Sequence, residues 1–178
     1  DIPQINFEAA AVKGVLINGN FERGNIEGFE SFTTPNGEAT RELASIDVNN
    51  DGRASLAQKF IVGAQTVTDG TTYEGGGIYH IIGLKPGSFS VSVDVLASIG
   101  SNGASGGIVS LLLDGQVMDN YNFGFLQSNA SQYKKLTFSL PYVAGGNHEI
   151  RLLLTRNDVI GGVIHYIDDM VVTGTSTQ

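Results

Sequence analysis

The sequence predicts an all-β chain folded as a single β-sandwich, and three observations carry that expectation. Apolar residues alternate with polar ones at a period of two, turn signals recur at roughly 8–12 residues, and no stretch holds a sustained 3.6-residue pattern with caps. The length agrees, since 178 residues suit one domain at an expectation of about 150 residues each.

The elements follow in order. An N-terminal arm, residues 1–14, alternates Ile5, Phe7, Ala9 and Ala11 on one side, and a first firm strand is expected over 15–17. Segments 42–48 and 54–61 read as strands joined by an Asn50-Asp51-Gly52 turn. Short apolar runs at 78–82 and 108–113 are bounded by glycines. The clearest strand is 88–95, where Phe89, Val91, Val93 and Val95 point inward while Ser88, Ser90, Ser92 and Asp94 point out. Leu136, Phe138 and Leu140, then Ile150, Leu152 and Leu154, repeat the pattern and complete the expected core. Turns are marked by Lys85-Pro86-Gly87, Asp114-Gly115 and Gly145-Gly146-Asn147. Segments 63–77 and 99–107, rich in Gly, Ser and Thr, read as long loops. The domain itself is expected over 15–174, with 175–178 as a tail.

Composition removes whole classes of function. Ten Lys and Arg against eighteen Asp and Glu leave a charge of −8, which offers no electrostatic footprint for nucleic acid. No apolar run approaches the roughly 18 residues of a membrane span. Cysteine is absent, and with it disulfides, thiolate metal sites and cysteine nucleophiles. Asp1 at the head of the chain suggests N-terminal processing, which removal of a leader or a maturation cleavage would produce alike, and an extracellular or cell- or virion-surface location is expected.

Three stretches together resemble the carbohydrate-binding modules of the family 4/9 and 22 type, which are galactose-binding-like jelly rolls. Leu16-Ile17-Asn18-Gly19-Asn20-Phe21-Glu22 with Gly28-Phe29 is similar to the family's opening. The run 78–87 and the alternating strand after it resemble its central hairpin, and Tyr166-Ile167-Asp168-Asp169-Met170-Val171-Val172 its closing strand. The resemblance implies a β-sandwich of jelly-roll type and a glycan as ligand. It also implies a structural Ca2+ between the first and last strands, held by Glu22 and by Asp168 or Asp169. Adjacent Asp168 and Asp169 on a regular strand point to opposite faces, so one of the two is expected to serve. The chain departs from the family at Phe29, which stands where a Trp is usual, and at Ser90, Ser92 and Asp94, where an outward aromatic is common. Stacking on a sugar would therefore fall to Tyr73, Tyr79, Tyr121, Phe123 or Tyr133, although aromatics in sandwiches usually pack inside.

The residues themselves suggest a second calcium site. Asp47, Asn49 and Asp51 place oxygen side chains at i, i+2 and i+4 before Gly52, the first half of an oxygen-rich loop for a hard cation. The twelfth position is Gln58 rather than a bidentate Glu, and a plain hairpin turn explains the same residues without metal.

Signals for catalysis are thin, and no enzyme is expected. Gly103-Ala104-Ser105-Gly106-Gly107 satisfies G-x-S-x-G but lies before a strand, where a nucleophile elbow cannot form. His80, His148 and His165 lack ligand spacing, and Gly75-Gly76-Gly77 lacks the helix and Lys of a phosphate loop. Two functions stand side by side at this point. One is a calcium-stabilised extracellular module binding a glycan. The other is a self-assembling structural subunit of a filament, tube, matrix or virion surface, built on identical subunits that exchange residues 1–13 as a donor strand.

Overall fold

A computed structural model describes residues 28–175 with their side chains and the backbone of residues 4–6. Glu22, the opening motif, the 15–17 strand, most of the arm and the end of the tail lie outside the described residues. Every regular element among the described residues is a strand: β1 (Gln4–Asn6), β2 (Glu30–Thr33), β3 (Gly37–Ile46), β4 (Ser55–Ala64), β5 (Glu74–Leu84), β6 (Gly87–Ile99), β7 (Ala104–Ser105), β8 (Ile108–Leu113), β9 (Gln116–Asn122), β10 (Phe125–Leu126), β11 (Ser131–Val143), β12 (Gly146–Arg156) and β13 (Val163–Thr173). The first sheet has the order β11-β6-β13-β4-β3, with β1 also paired to β13, and the second has the order β2-β5-β12-β8-β9. Every strand pair in both sheets is antiparallel. The two sheets face each other as a β-sandwich of jelly-roll type.

The alternation of β6 fills the space between the sheets. Val93, Val91 and Phe89 stand opposite Leu136, Phe138 and Leu140 on β11, and the Phe89 and Phe138 rings tilt together at 6.1 Å. Ile150, Leu152 and Leu154 of β12 close the core from the second sheet. Of the ten core residues expected, Leu140 alone is only partly buried. It sits on an edge strand, just before the register breaks between Leu140 and Val143.

The two long loops are shorter than their composition suggests. β4 continues through Gly63 and Ala64, and β5 takes up Gly75, Gly76 and Gly77, so the connection is only 65–73. A Cβ on Gly75 or Gly77 would run into the carbonyl oxygens of Leu154 and Leu152, and one on Gly76 into that of Phe32. These glycines let three strands approach closely, and their role is strand packing rather than looping. In the second segment Ile99 ends β6, and Ala104–Ser105 pairs with Phe125–Leu126. Ser105 thus lies on a short strand, its carbonyl accepting a hydrogen bond from Arg156, with no nucleophile elbow around it.

β13 organises the first sheet. Val163–Asp168 pairs with β6 over Ile99–Asp94, and after a register break Val171–Thr173 pairs with β6 again. Its other edge is divided between β4, opposite His165–Ile167, and β1, opposite Val171–Thr173. The arm's β1 therefore adds to the chain's own last strand.

Candidate functional site

The outward face of the first sheet assembles a row from all five of its long strands. Glu42 on β3 stands opposite Lys59 on β4, Lys59 opposite Tyr166 on β13, Tyr166 opposite Leu96 on β6, and Leu96 opposite Tyr133 on β11. With strands about 4.8 Å apart the row is about 19 Å long, and its two tyrosines, two strands apart, are separated by about 10 Å. Both rings and Leu96 are half-buried. An ion pair of 2.9 Å between Lys59 and Glu42 closes one end and raises the Lys59 pKa through hydrogen bonding and charge.

The other end rests on a buried acid. Asp94 faces outward from β6 yet is only 2 % exposed. The Tyr133 hydroxyl donates to its Oδ1 at 2.5 Å, Lys135 Nζ lies 2.9 Å from the same oxygen, and Asn49 Nδ2 is 3.5 Å from Oδ2. Burial, reinforced by the hydrogen bond to Asp94 and its charge, pushes the Tyr133 phenol well above its usual range. Tyr133 is thereby a fixed donor with its ring orientation locked. β6 carries no outward aromatic, as its serines and Asp94 indicated, but the strands on either side of it supply two.

Beside this row the two acidic clusters expected from the sequence become one. Asn49, Asp51, Arg53, Ser55, Asp168 and Asp169 line a single cavity of about 260 Å³ between the β3–β4 turn and the middle of β13. Asp168 and Asp169 were expected on opposite faces; instead both border this cavity. The register break between Asp168 and Val171 and the left-handed backbone of Asp169, with φ of 50°, interrupt the alternation. Asp168 is 2 % exposed, accepts Ser55 Oγ at 2.5 Å and takes the Asp169 amide at 2.8 Å. Asp47 acts differently, its two oxygens accepting the amides of Asp51 and Gly52 at 3.0 and 2.8 Å and so shaping the turn. Among the described residues no three His, Asp or Glu side chains converge to hold a metal by themselves.

The remaining aromatic candidates lie elsewhere. Phe123 is a core residue, buried edge-on against Tyr121 at 5.0 Å and near His165, so it cannot stack on a ligand. Tyr121 packs partly against the core, accepts Gln132 Nε2 on its hydroxyl and lies under Lys134. Tyr79 is on the outer face of the second sheet, where it and Phe32 flank the Arg151 guanidinium at 4.8 and 4.1 Å. Tyr73 is half-buried in the connection before β5. Of the five, only Tyr133 joins the row. Tyr166 was missed, although its parity with Asp168 and against the core residues His165 and Ile167 marks it as outward. Phe29, at the family's Trp position, is buried edge-on against His80.

Neither a protein-family profile nor any curated protein sequence matches the chain. Solved structures do match in fold. A family 61 carbohydrate-binding module in complex with β-1,4-galactotriose superposes with a TM-score of 0.57 at 14% identity, over 90% of this chain and 98% of that one. A carbohydrate-binding module of the β-sandwich superfamily gives 0.53 at 14% identity, over 85% of this chain and 59% of that one. A Stig cyclase from Fischerella sp. TAU, in complex with an indole compound, gives 0.56 at 14% identity, over 99% and 100%. The fold is thus the jelly roll of carbohydrate-binding modules, a scaffold that also occurs in an enzyme.

Proposed function

We propose that this chain is a non-catalytic module that binds a neutral glycan across the row Glu42–Lys59–Tyr166–Leu96–Tyr133. The observation that carries the reading is the register that sets two half-buried tyrosines and a buried, hydrogen-bonded carboxylate on one sheet face. Ring faces stack on the C–H faces of pyranoses, while the flanking polar groups hydrogen-bond their hydroxyls. Both lysines at the row are paired with carboxylates and the net charge is −8, so an acidic polysaccharide is disfavoured. Affinity electrophoresis against soluble β-glucans, mannans, xylans and galactans tests this. Retardation by at least one polymer is expected, with at least about tenfold weaker binding in Tyr133→Ala and Tyr166→Ala, as for stacked anchor residues. Tyr142→Ala, exposed and off the row, serves as control. No retardation by any polymer overturns the reading.

The acidic cavity is proposed to hold Ca2+. Asp168, Asp169, Asp51 and Asn49 supply the side-chain oxygens a hard cation requires, Arg53 also borders the cavity, and the family-implied Glu22 lies outside the described residues. Bound there, the ion would supply cross-linking charge between the β3–β4 turn and the β13 bulge. Such a module belongs outside the cell or on its surface. The competing reading, a subunit that exchanges residues 1–13 with a neighbour, is less favoured because β1 pairs within the chain. Light scattering of the full chain decides between them: a monomer supports the module, and polymers lost on removing residues 1–13 support strand exchange.

A further inference from the structure

Next to the tyrosine row the same sheet face descends into an apolar pocket. Ser98 lies two residues beyond Leu96 on β6, Ile61 two beyond Lys59 on β4, and Ile164 two before Tyr166 on β13, so all three share the row's face. With Ile99, Val163 and the backbone of Gly161 and Gly162 they line a cavity of about 360 Å³. Ile61 and Ile164 present their side chains beside the Ser98 hydroxyl, whereas Ile99 and Val163, whose side chains turn into the core, and the glycines border it with backbone, and the lining carries no charge.

The wall is built, not incidental. Arg156 is fully buried and donates from Nη1 to the carbonyls of Val159 at 2.9 Å and Gly161 at 2.6 Å. Ala64 and the 158–160 backbone exchange two further hydrogen bonds, pinning the connection between β12 and β13 against β4. At the rim, a Cβ placed on Gly100, Gly161 or Gly162 would meet no other atom within 4 Å, so the mouth is free of side chains.

A bare pyranose carries hydroxyls on most of its carbons, and a lining with a single hydroxyl would leave them without partners, which is costly. An uncharged, methyl-terminated substituent has no such demand and gains from the aliphatic wall. From these observations we propose that the pocket lined by Ser98, Ile61 and Ile164 selects glycans that carry a small apolar substituent, an O-acetyl, O-methyl or 6-deoxy group, on the sugar next to the tyrosine row. The inference rests on the glycan reading above and names the ligand class of that face.

The test is isothermal titration with O-acetylated glucomannan oligosaccharides and the same oligosaccharides after alkaline deacetylation, with methylcellulose against hydroxyethylcellulose and methyl α-L-fucoside against methyl α-L-galactoside as separate arms for the ether and the 6-deoxy methyl. About tenfold tighter binding of a substituted form over its unsubstituted counterpart is expected, the discrimination an apolar pocket gives one methyl group. Ser98→Leu, which fills the pocket, and Ile164→Asn, which makes it polar, should bring that ratio to one, thermal melts confirming that each variant is folded. Equal binding of all pairs, or a preference that survives in both folded variants, overturns the pocket assignment and leaves the glycan module standing. Failure of every arm, together with failure of the unsubstituted polymers, overturns both.

Discussion

His165 makes the stability of this domain depend on pH in a window where few other groups titrate. It is fully buried, its Nε2–H donates to the Gly106 carbonyl at 2.7 Å, and its Nδ1 has no hydrogen-bond partner among the described residues. Burial, against the help of the Gly106 carbonyl and with the nearby Arg156 charge, lowers its pKa from 6.5 to about 4. The unfolded chain therefore takes up a proton near 6.5 that the folded chain refuses until about pH 4. The stability associated with neutral His165 is complete above pH 6.5 and falls by about 1.4 kcal/mol for each unit of acidification below it, or about 3 kcal/mol by pH 4. Between pH 6.5 and 5, above the range of most carboxylates, the loss amounts to about 2 kcal/mol. Other histidines contribute there as well. His80, its pKa lowered by burial, acts in the same direction. His148, its pKa raised by a 2.6 Å hydrogen bond to Asp114, acts in the opposite one, being stabilising below 6.5 and losing that contribution as pH rises. Urea unfolding of the parent and His165→Gln at several pH values isolates the residue, because the readout is the difference in pH slope rather than the variant's absolute stability. The parent should lose about 2 kcal/mol more than the variant between pH 6.5 and 5. Parallel slopes, or an imidazole resonance of His165 titrating near 6.5 in the folded protein, refute the reasoning.

Four further outcomes are expected. Tyr133→Phe removes a hydrogen bond to a buried carboxylate and should cost about 2 kcal/mol in urea unfolding, whereas an unchanged midpoint would mean that Lys135 and Asn49 suffice for Asp94. Gly77→Ala drives a methyl into the Leu152 carbonyl and should cost more than about 3 kcal/mol or prevent folding, read by circular dichroism and expression yield. Calcium at a hundredfold excess over its Kd should raise stability by about 2.7 kcal/mol, and Asp168→Asn with Asp169→Asn should abolish the rise; equal melting temperatures in calcium and chelator sink the site. Removal of residues 1–13 deletes the three-residue pairing on β13 and should leave a folded monomer with a lower melting temperature, and a chain that fails to fold would place more of the arm in the core.

The sequence by itself determined what local patterns encode. The alternation in 88–95 specified both the buried face of β6 and the outward position of Asp94, because side chains on a strand point to opposite sides at a period of two. Turn residues located the hairpins, and in one of them Asp47 accepts the amides of Asp51 and Gly52. Pairing between distant strands was not legible. Tyr133, Leu96, Tyr166, Lys59 and Glu42 are scattered over more than a hundred residues, and they form a row only because β13 inserts between β6 and β4 in one particular register. Phe123 shows the same limit, since it lies between β9 and β10, where no alternation assigns it a face, and only the packing of the sandwich takes it into the core. Asp168 and Asp169 look like neighbours on opposite faces until the break in β13 turns both toward one cavity. Alternation is a property of a few consecutive residues, whereas register and bulges are chosen by the packing of the whole sandwich, and the candidate site is made of register and bulge.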